Sequence, residues 1–420
     1  MAVDTRERDR HLRLLPGGDP ARHPGNREQN RRTVAFLWIS TGFLTFSGLL
    51  MVLSASSVSA YAQYGSGFFF FGRQAVYAVV GAAAMFLTSR MRYRVWTKLA
   101  GPLLALTLGM LAVVLHPAAG PDAHGASRWI ALGPVTLQPS ELAKLTLVIC
   151  AATFLARQGD RIRELGNLVP LIVLTIVVGA LVMAQPDLGT TLVIVGTLYL
   201  MSFVAGARMS HLASGGVVGL LGGAGLIWGA SYRKERFLGF LNPWEDASGR
   251  GYQLIQGLIA LGSGGLTGVG LGASRQKWLY VPNAHTDFIF AIVGEELGLV
   301  GALTMLAAFA TLFVGAIRTA MRAPDAFGRL LASGVVAWFG VQTIVNLGAV
   351  TGVLPITGVP LPFLSYGGSA LVVSLAAVGI LVNIARAGIG PASRASRASQ
   401  ASRGQSVPAR GTAARSAPTR

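Results

Sequence analysis

The amino-acid sequence predicts an all-α, polytopic membrane protein with about ten transmembrane helices and a large outer loop between the seventh and eighth spans. Two observations support this fold class. Of the 420 residues, 52% are hydrophobic and only 12% are charged, whereas an ordinary soluble domain has about 25% charged residues. The chain also contains a series of mainly apolar runs, each close to the ~20 residues that a helix needs to cross a bilayer.

The predicted spans define a membrane domain at residues 34–386 between two terminal tails. They lie at residues 34–54, 70–89, 98–116, 138–156, 168–184, 188–205, 212–230, 287–317, 330–352 and 366–386. Residues 1–33 and 387–420 are rich in Arg, Ser, Gly and Pro and have few large apolar side chains. Such segments cannot bury enough surface to fold alone, so we expect both tails to be disordered.

The basic residues predict the orientation of the chain in the cytoplasmic membrane. An even number of spans places both termini on one side, and Lys and Arg accumulate on cytoplasmic segments. The tails and alternate connections hold most of the Lys and Arg, whereas the membrane spans and the outer face together carry as many acidic as basic residues. The net charge of +18 therefore lies on the cytoplasmic side. There it suits solvated tails that contact anionic membrane lipids rather than nucleic acid.

Several kinds of site are not indicated by the sequence. A single cysteine, Cys150, excludes a disulfide framework and a Cys-based zinc site, and the six histidines are scattered singly. No cofactor or metal site is predicted, although a need for a divalent cation is left open. Gly268, Gly270 and Ala273 imitate the spacing of a dinucleotide fingerprint but lack a βαβ context. We interpret these glycines as allowing either close backbone approach or a re-entrant turn.

Three segments on the predicted outer face, residues 117–137, 231–286 and 353–365, are longer than a connection requires. The second mixes cations, carboxylates and aromatic residues beside the bilayer. A loop that merely caps the helix bundle would explain its Pro, Gly and Trp residues but not its cations, since basic residues are otherwise scarce on this face. Those cations are Arg233, Lys234, Arg236, Arg275 and Lys277. We therefore predict a functional role for this segment.

Ionisable residues within apolar segments are costly and therefore count as functional candidates. Glu141 and Lys144 lie three residues apart on one helical face, where a structural ion pair and a substrate-contacting role are equally compatible with the sequence. Asp187 lies at a short turn, which suits a helix start at least as well as catalysis. Asp287 lies at the outer mouth of the eighth span and is the best placed acid or base.

Five long motifs give the chain a family resemblance. They are RWIALGPVTLQPSELAK (128–144), QPDLGT (185–190), ERFLGFLNPWED with GYQLIQ (235–256), GGLTGVGLGASRQKWLYVPNAHTDFIFAIVGEELGLVG (264–301) and NLGAVTGVLPITGVPLPFLSYGGSA (346–370). In this order they resemble the SEDS family (shape, elongation, division and sporulation proteins) over about residues 34–386. MVLSAS at 51–56, the loop that contains Arg236 and the basic N-terminal tail resemble the division members, FtsW, more than the elongation members, RodA.

The resemblance implies a peptidoglycan glycosyltransferase that polymerises lipid II, the undecaprenyl-pyrophosphate-linked precursor, at the outer face of the membrane during septal synthesis. A β-1,4 link formed from an α-linked donor inverts the anomeric centre, which requires a base and cations for the departing pyrophosphate. By family match the base is Asp287. The candidates for substrate binding are Arg73, Arg128, Trp129, Gln138, Ser140, Glu141, Lys144, Arg233, Lys234, Arg236, Arg275, Lys277 and His285.

The resemblance also implies partners and leaves alternatives open. A class B penicillin-binding protein, the FtsI-type transpeptidase, and other divisome proteins are the implied partners. One alternative is a flippase that transports lipid II, with Glu141, Lys144, Gln342 and Asn346 lining a pathway. The gathering of charges on outer loops, rather than at the midplane of inverted halves, disfavours it. A second alternative is an elongation polymerase of the RodA type.

Overall fold

The computed structural model describes residues 24–116, 128–132 and 135–388. In these ranges the chain forms twelve α-helices, two short 3-10 helices and one hairpin. The helices are α1 (Pro24–Tyr64), α2 (Phe69–Arg90), α3 (Val95–Val114), α4 (Pro139–Gln158), α5 (Leu165–Met183), α6 (Leu188–Val204), α7 (Met209–Trp228), α8 (Ser231–Leu241), α9 (Tyr252–Ser263), α10 (Ile289–Met321), α11 (Ala326–Val350) and α12 (Gly368–Ala387). Strands β1 (Ile130–Leu132) and β2 (Val135–Leu137) pair antiparallel, with Ala131 opposite Thr136.

Every predicted span coincides with a helix, which confirms the all-α polytopic fold. Nine helices of the described ranges are at least 18 residues long and apolar enough to cross a membrane, and α6 follows with 17 residues. The first helix departs from the predicted boundary because α1 begins at Pro24 rather than at residue 34. Its polar start includes an ion pair between Arg32 and Glu28, four residues apart, with 2.6 Å between Nη2 and Oε1. Residues 1–23 and 389–420 of the predicted tails lie outside the described residues.

Helices α4, α11 and α12 form the centre of the bundle, and α7 lies at its edge. In the most apolar stretch of each helix, 72%, 67% and 78% of the residues of α4, α11 and α12 are buried, against 6% for α7. Helix α2 crosses α12 closely at two glycines that have no Cβ to obstruct the contact. A Cβ at Gly81 would overlap Leu375, and a Cβ at Gly379 would overlap Thr88. The Thr88 hydroxyl donates across this contact to the carbonyl of Ala376 at 2.9 Å. Small residues and a hydroxyl donor are typical of helix packing in membranes.

The outer segment predicted as a loop contains α8, a 3-10 turn at Pro243–Asp246 and α9. Its remainder folds against a break in α10, where Gly298 has φ 65° and ψ −165°. Backbone hydrogen bonds join the two, including Leu299 N to Gly265 O at 2.9 Å and Gly270 N to Glu296 O at 3.0 Å. A Cβ at Gly268 or Gly298 would overlap the backbone of the other segment. The interpretation as a site of close backbone approach therefore holds for Gly268, whereas a Cβ at Gly270 would make only an ordinary contact with Ala273 Cβ at 3.9 Å.

One end of the bundle gathers the starts of α2, α4, α10 and α12 and the end of α11. Phe70 at the start of α2 stacks against His285, with 4.7 Å between ring centroids. The backbone N of Gln138, before α4, donates to Ser369 Oγ of α12 at 3.1 Å. Segments far apart in sequence, all predicted to lie on the outer face, therefore meet at this end.

Candidate active site

Asp287 lies in the turn that precedes α10, at the end of the bundle where these segments meet. Its side chain is half-buried, and its Oδ1 accepts a hydrogen bond from the hydroxyl of Thr286 at 3.0 Å. Its main-chain carbonyl accepts from Nδ2 of Asn346 at 2.8 Å. Phe288, and not Asp287, is the N-cap residue of α10. The carboxylate is therefore not occupied in capping this helix, which is the structural role that an aspartate at such a position commonly has.

The surroundings of Asp287 favour its protonated form. Burial raises the pKa of the Asp287 carboxyl above its usual range, while the hydrogen bond from Thr286 and the positive charge of Arg236 oppose the rise. Arg236 lies on α8, with its guanidinium carbon 4.6 Å from the centre of the Tyr232 ring. Arg236 therefore acts on the Asp287 carboxylate through its charge. Such a setting makes Asp287 a stronger proton acceptor than an exposed aspartate.

An aromatic cluster flanks Asp287 on the same segment. The ring of His285 lies 4.7 Å from that of Phe70 and 5.5 Å from that of Tyr366, and the Tyr366 backbone N donates to the His285 carbonyl at 2.9 Å. Burial lowers the pKa of His285 to about 4, so that its imidazole is neutral near pH 7. Arg73 of α2 acts on this cluster because its charge opposes the raised pKa of the buried Tyr366 phenol. Two predicted binding residues, Arg73 and His285, therefore meet at this aromatic cluster, and His285 lies two residues before Asp287.

A cleft of about 490 Å³ opens between α8, the 3-10 turn and α9, and Pro282 of the Asp287 segment lines it. Its other lining residues include Tyr232, Glu235, Arg236, Phe240, Asp246, Arg250, Tyr252, Gln253 and Ile356. Arg250 Nε pairs with Asp246 Oδ2 at 3.1 Å, and Gln253 Nε2 donates to the Pro282 carbonyl at 3.4 Å. The cleft thus offers aromatic and charged groups to a polar ligand. Asp287 does not line it, but Arg236, whose charge acts on Asp287, does.

Glu141 and Lys144 form a buried ion pair at the start of α4, with 2.8 Å between Nζ and Oε1 and 2% of each side chain exposed. Lys144 Nζ also donates to Gln342 Oε1 at 3.0 Å and lies 5.4 Å from the centre of the Trp338 ring. Trp338 Nε1 donates to the same oxygen of Gln342 at 2.7 Å. The structural ion pair that the sequence left open is therefore present, embedded in a polar network between α4 and α11.

The structure gives Lys277 a different position from the one expected of a phosphate-binding cation. Its side chain is 7% exposed, with Nζ 3.6 Å from Glu296 Oε1 and bonded to the carbonyl of Gly272. Glu296 accepts from the Ser54 hydroxyl at 2.6 Å, and Glu295 accepts from the backbone N of Arg275 at 2.8 Å. The two glutamates thus hold the folded-back segment against the break in α10, and Lys277 neutralises one of them. These contacts turn Lys277 away from the cleft.

The remaining predicted residues before and in α4 differ in their contacts. Arg128 donates from Nε to the Gln185 carbonyl at 2.8 Å and from Nη2 to the Pro186 carbonyl at 2.7 Å, so it fixes the turn between α5 and α6. Asp187 of that turn caps α6 by accepting from the Thr190 backbone N at 2.9 Å, as its position at a helix start suggested. Trp129 is half-buried before β1, Gln138 is the N-cap residue of α4, and Ser140 is buried in its first turn.

The other cations of the outer segment differ in exposure. Arg233 is half-buried, and its Nη1 lies 3.9 Å from Met183 Sδ. Lys234 and Arg275 are exposed. These three residues are therefore open to a ligand to different degrees, and Arg236 remains the one that acts electrostatically on Asp287.

Sequence reasoning did not single out several residues of this site. Tyr366, Phe70 and the cleft residues Tyr252 and Arg250 were not proposed for it, and Asn346 was considered only as part of a transport pathway. Tyr366 and Asn346 lie in the long motif at 346–370, which identified the resemblance as a whole. A single aromatic or amide residue in an apolar run carries no pattern that could indicate its partner 59 residues away in the chain.

Comparison with known proteins gives consistent matches along most of the chain. The model of the FtsW/RodA/SpoVE family, described as cell cycle protein, matches residues 34–388. Stage V sporulation protein E of Bacillus subtilis is 44% identical over 351 residues, which cover 83% of this chain and 96% of that protein. The probable peptidoglycan glycosyltransferase FtsW of Geobacter metallireducens is 44% identical over 342 residues, which cover 81% of this chain and 91% of that protein.

Solved structures agree with these matches. The crystal structure of the rod shape determining protein RodA of Thermus thermophilus has a TM-score of 0.63 and 30% identity, covering 84% of this chain and 97% of that one. A chain from a structure entitled structural coordination of polymerization and crosslinking by a peptidoglycan synthase complex has a TM-score of 0.70 and 32% identity, with coverages of 84% and 97%. The motifs, the fold and these matches together show that the chain belongs to the FtsW/RodA/SpoVE family of cell cycle proteins, the SEDS family.

Proposed function

We propose that this chain is a peptidoglycan glycosyltransferase that polymerises lipid II, with Asp287 as the general base. Relatives named as probable peptidoglycan glycosyltransferases, which are 44% identical to it, support the activity. The single observation that supports the residue assignment is the setting of Asp287. Its carboxylate is half-buried, is not used as a helix cap, and is acted on by the charge of Arg236, which lines the polar cleft.

The proposed reaction forms one bond and breaks another at the anomeric carbon of the donor. The hydroxyl of the acceptor sugar gives its proton to Asp287 while its oxygen attacks that carbon. The bond from the carbon to undecaprenyl pyrophosphate breaks on the opposite face, so the anomeric configuration inverts from α to β. The negative charge that develops on the departing pyrophosphate needs cations placed in advance. Its charge effect on Asp287 makes Arg236 our first candidate, followed by Arg73, Arg233, Lys234 and Arg275.

We infer that the end of the bundle with Asp287 faces outward from the cytoplasmic membrane and that both termini are cytoplasmic. The basic residues at the other end support this orientation, among them Arg90, Arg92 and Arg94 at the turn between α2 and α3. A cysteine at exposed Ser248, in a background with Cys150→Ala, should react with an impermeant maleimide in intact cells. A cysteine at exposed Arg92 is the matched control and should react only after permeabilisation. The reverse pattern would contradict the orientation.

We further propose that the chain works at the division septum with an FtsI-type transpeptidase and other divisome proteins. Relatives named FtsW support the division role, and a structural relative from a peptidoglycan synthase complex supports a cross-linking partner. The likeness to RodA keeps an elongation polymerase as the alternative within the family. A fluorescent fusion enriched at midcell that co-purifies with the FtsI-type protein is the expected result. Distribution along the side wall would favour the elongation role.

A transporter of lipid II is the second candidate, and the contacts of α11 argue against it. The pathway would need the polar groups of Gln342 and Asn346, but their amide nitrogens donate to the carbonyls of Pro360 and Val359, each at 2.8 Å. Lys144 is likewise paired with Glu141. Purified protein incubated with lipid II should yield glycan polymers that a muramidase digests. Flipping of labelled lipid II in vesicles without any polymer would instead support the transporter.

A further inference from the structure

Two buried amide side chains lie one helical turn apart near the end of α11. Gln342 Nε2 donates to the carbonyl of Pro360, and Asn346 Nδ2 donates to the carbonyl of Val359, both at 2.8 Å. Since an amide carries donors without a net charge, it satisfies a buried carbonyl without the cost of burying an ion. Both side chains therefore fasten the segment before α12 to α11.

Asn346 makes a second contact that sets it apart from Gln342. The same Nδ2 atom donates to the main-chain carbonyl of Asp287 at 2.8 Å. An amide nitrogen has two hydrogens, so both donors of Asn346 are used, one on Asp287 and one on Val359. The side chain thus joins the backbone at the candidate base to the segment before α12 through a single atom.

Other hydrogen bonds order the residues before Asp287 but leave its own carbonyl to Asn346. Tyr366 N donates to the His285 carbonyl at 2.9 Å, and Thr286 N donates to the Asn283 carbonyl at 2.9 Å. Asn283 has a positive φ of 51°, which turns the chain just before this segment. An aspartate carboxylate is separated from its backbone by only two rotatable bonds, so a shift of the backbone carries the carboxylate with it.

We propose that Asn346 is a positioning residue for Asp287. The proposal rests on the proposed function, in which Asp287 takes the proton of the acceptor hydroxyl. A general base must stand within hydrogen-bond reach of that proton, and a misplacement of about 1 Å can cost on the order of 10²-fold in rate. Asn346 acts only through the main chain. Loss of its donors therefore lowers kcat and leaves the KM for lipid II nearly unchanged, since the cleft and its cations are retained.

The test compares two Asn346 variants with a matched control on the same helix. Asn346→Leu removes both donors, and the near-isosteric Asn346→Asp replaces them with acceptors. Thr343→Val is the control, because Thr343 is also buried and its hydroxyl has no hydrogen-bond partner in the described part of the chain. The purified full-length proteins are assayed with lipid II for kcat, KM and melting temperature. We expect both Asn346 variants to lose about 10- to 100-fold in kcat, with KM within about twofold, and Thr343→Val to match the wild type.

Several results would overturn the proposal, and Asp287→Asn shows whether the base assignment fails with it. Wild-type kcat in both Asn346 variants, or a joint change of kcat and KM that follows a fall in melting temperature, would reduce Asn346 to a structural contact. Should the Leu variant aggregate, the Asp variant decides. Asp287→Asn is measured alongside: full activity there would overturn the base assignment and the positioning role together. An inactive Asp287→Asn with Asn346 variants that match Thr343→Val would overturn the positioning role alone.

Discussion

Replacement of Lys144 with Met tests whether the ion pair at the start of α4 is as desolvated as its geometry indicates. Lys144 and Glu141 are each 2% exposed, with 2.8 Å between Nζ and Oε1. Met retains most of the length of the Lys side chain and removes the charge. Glu141 would then remain as a buried carboxylate whose Oε2 has no hydrogen-bond partner among the described residues even in the wild type.

The loss of stability depends on which member of the ion pair remains buried without its partner. Removal of one member of a buried ion pair costs about 3–5 kcal/mol, because the other charge stays buried and uncompensated. Glu141→Gln should cost less than Lys144→Met. In that variant Lys144 keeps its hydrogen bond to Gln342 Oε1 at 3.0 Å and its position over Trp338, 5.4 Å from the ring centre. A desolvated cation above an aromatic ring gains about 2 kcal/mol.

Thermal unfolding of the detergent-solubilised protein, followed by tryptophan fluorescence, measures these changes in a double-mutant cycle. We expect Lys144→Met to lower the melting temperature by several degrees, Glu141→Gln to lower it less, and the double variant to recover part of the loss through a favourable coupling energy. Equal melting temperatures for the wild type and Lys144→Met would refute the reasoning. They would mean that water reaches the pair and screens it.

Four further predictions concern Asp287, the segment around α8 and the break in α10. Lys277→Met should lower the free energy of unfolding by about 3–5 kcal/mol because it leaves the buried Glu296 without its cation. Arg275→Met, at an exposed neighbour, should change it by less than about 0.5 kcal/mol. Equal unfolding midpoints for the two variants would contradict this. Gly298→Ala should prevent normal folding because Gly298 has a φ of 65° and a Cβ there would overlap Gly268. Gly340 has open space around it, so Gly340→Ala should fold normally. Size-exclusion profiles distinguish the folded variant from the misfolded one. The polymerisation rate should rise with pH as Asp287 loses its proton, at a midpoint above the ordinary carboxyl value of 3.8. Arg236→Gln should move this midpoint of the kcat/KM profile to higher pH because Arg236 opposes the rise in the pKa of Asp287; a lower midpoint would be inconsistent with that role.

Local composition was sufficient to predict the membrane helices. A span such as α12 is a continuous apolar run, and the free energy of transfer into the bilayer depends on that composition alone. The short helices α8 and α9 were missed because 11 and 12 residues are too few to identify a span, and α8 also carries four charged residues. The start of α1 was also misplaced, since the polar residues 24–33 extend the helix beyond its apolar part.

Site residues could be predicted where their own chemistry indicates a function. They could not be predicted where their role depends on a contact with a residue far away in the sequence. Asp287 and the pair Glu141 and Lys144 could be found because a charge in or beside an apolar run is costly wherever it lies. Lys277 was assigned to phosphate binding because its partner Glu296 could not be inferred from the sequence pattern. Arg128 in the same way has two backbone carbonyls of another turn as partners. Such contacts form only when the complete fold brings the segments together.

Polymerisation of lipid II by purified Asp287→Asn protein tests the central claim most directly. Asn preserves the size of the side chain but cannot accept the proton, and loss of a general base costs about 10²–10⁴-fold in rate. The matched control is Glu245→Gln, which removes an exposed carboxylate from the same outer segment. We predict that Asp287→Asn melts at the wild-type temperature and forms almost no glycan, while Glu245→Gln polymerises normally. Glycan formation by Asp287→Asn at a rate near that of the wild type would contradict the assignment of Asp287 as the general base.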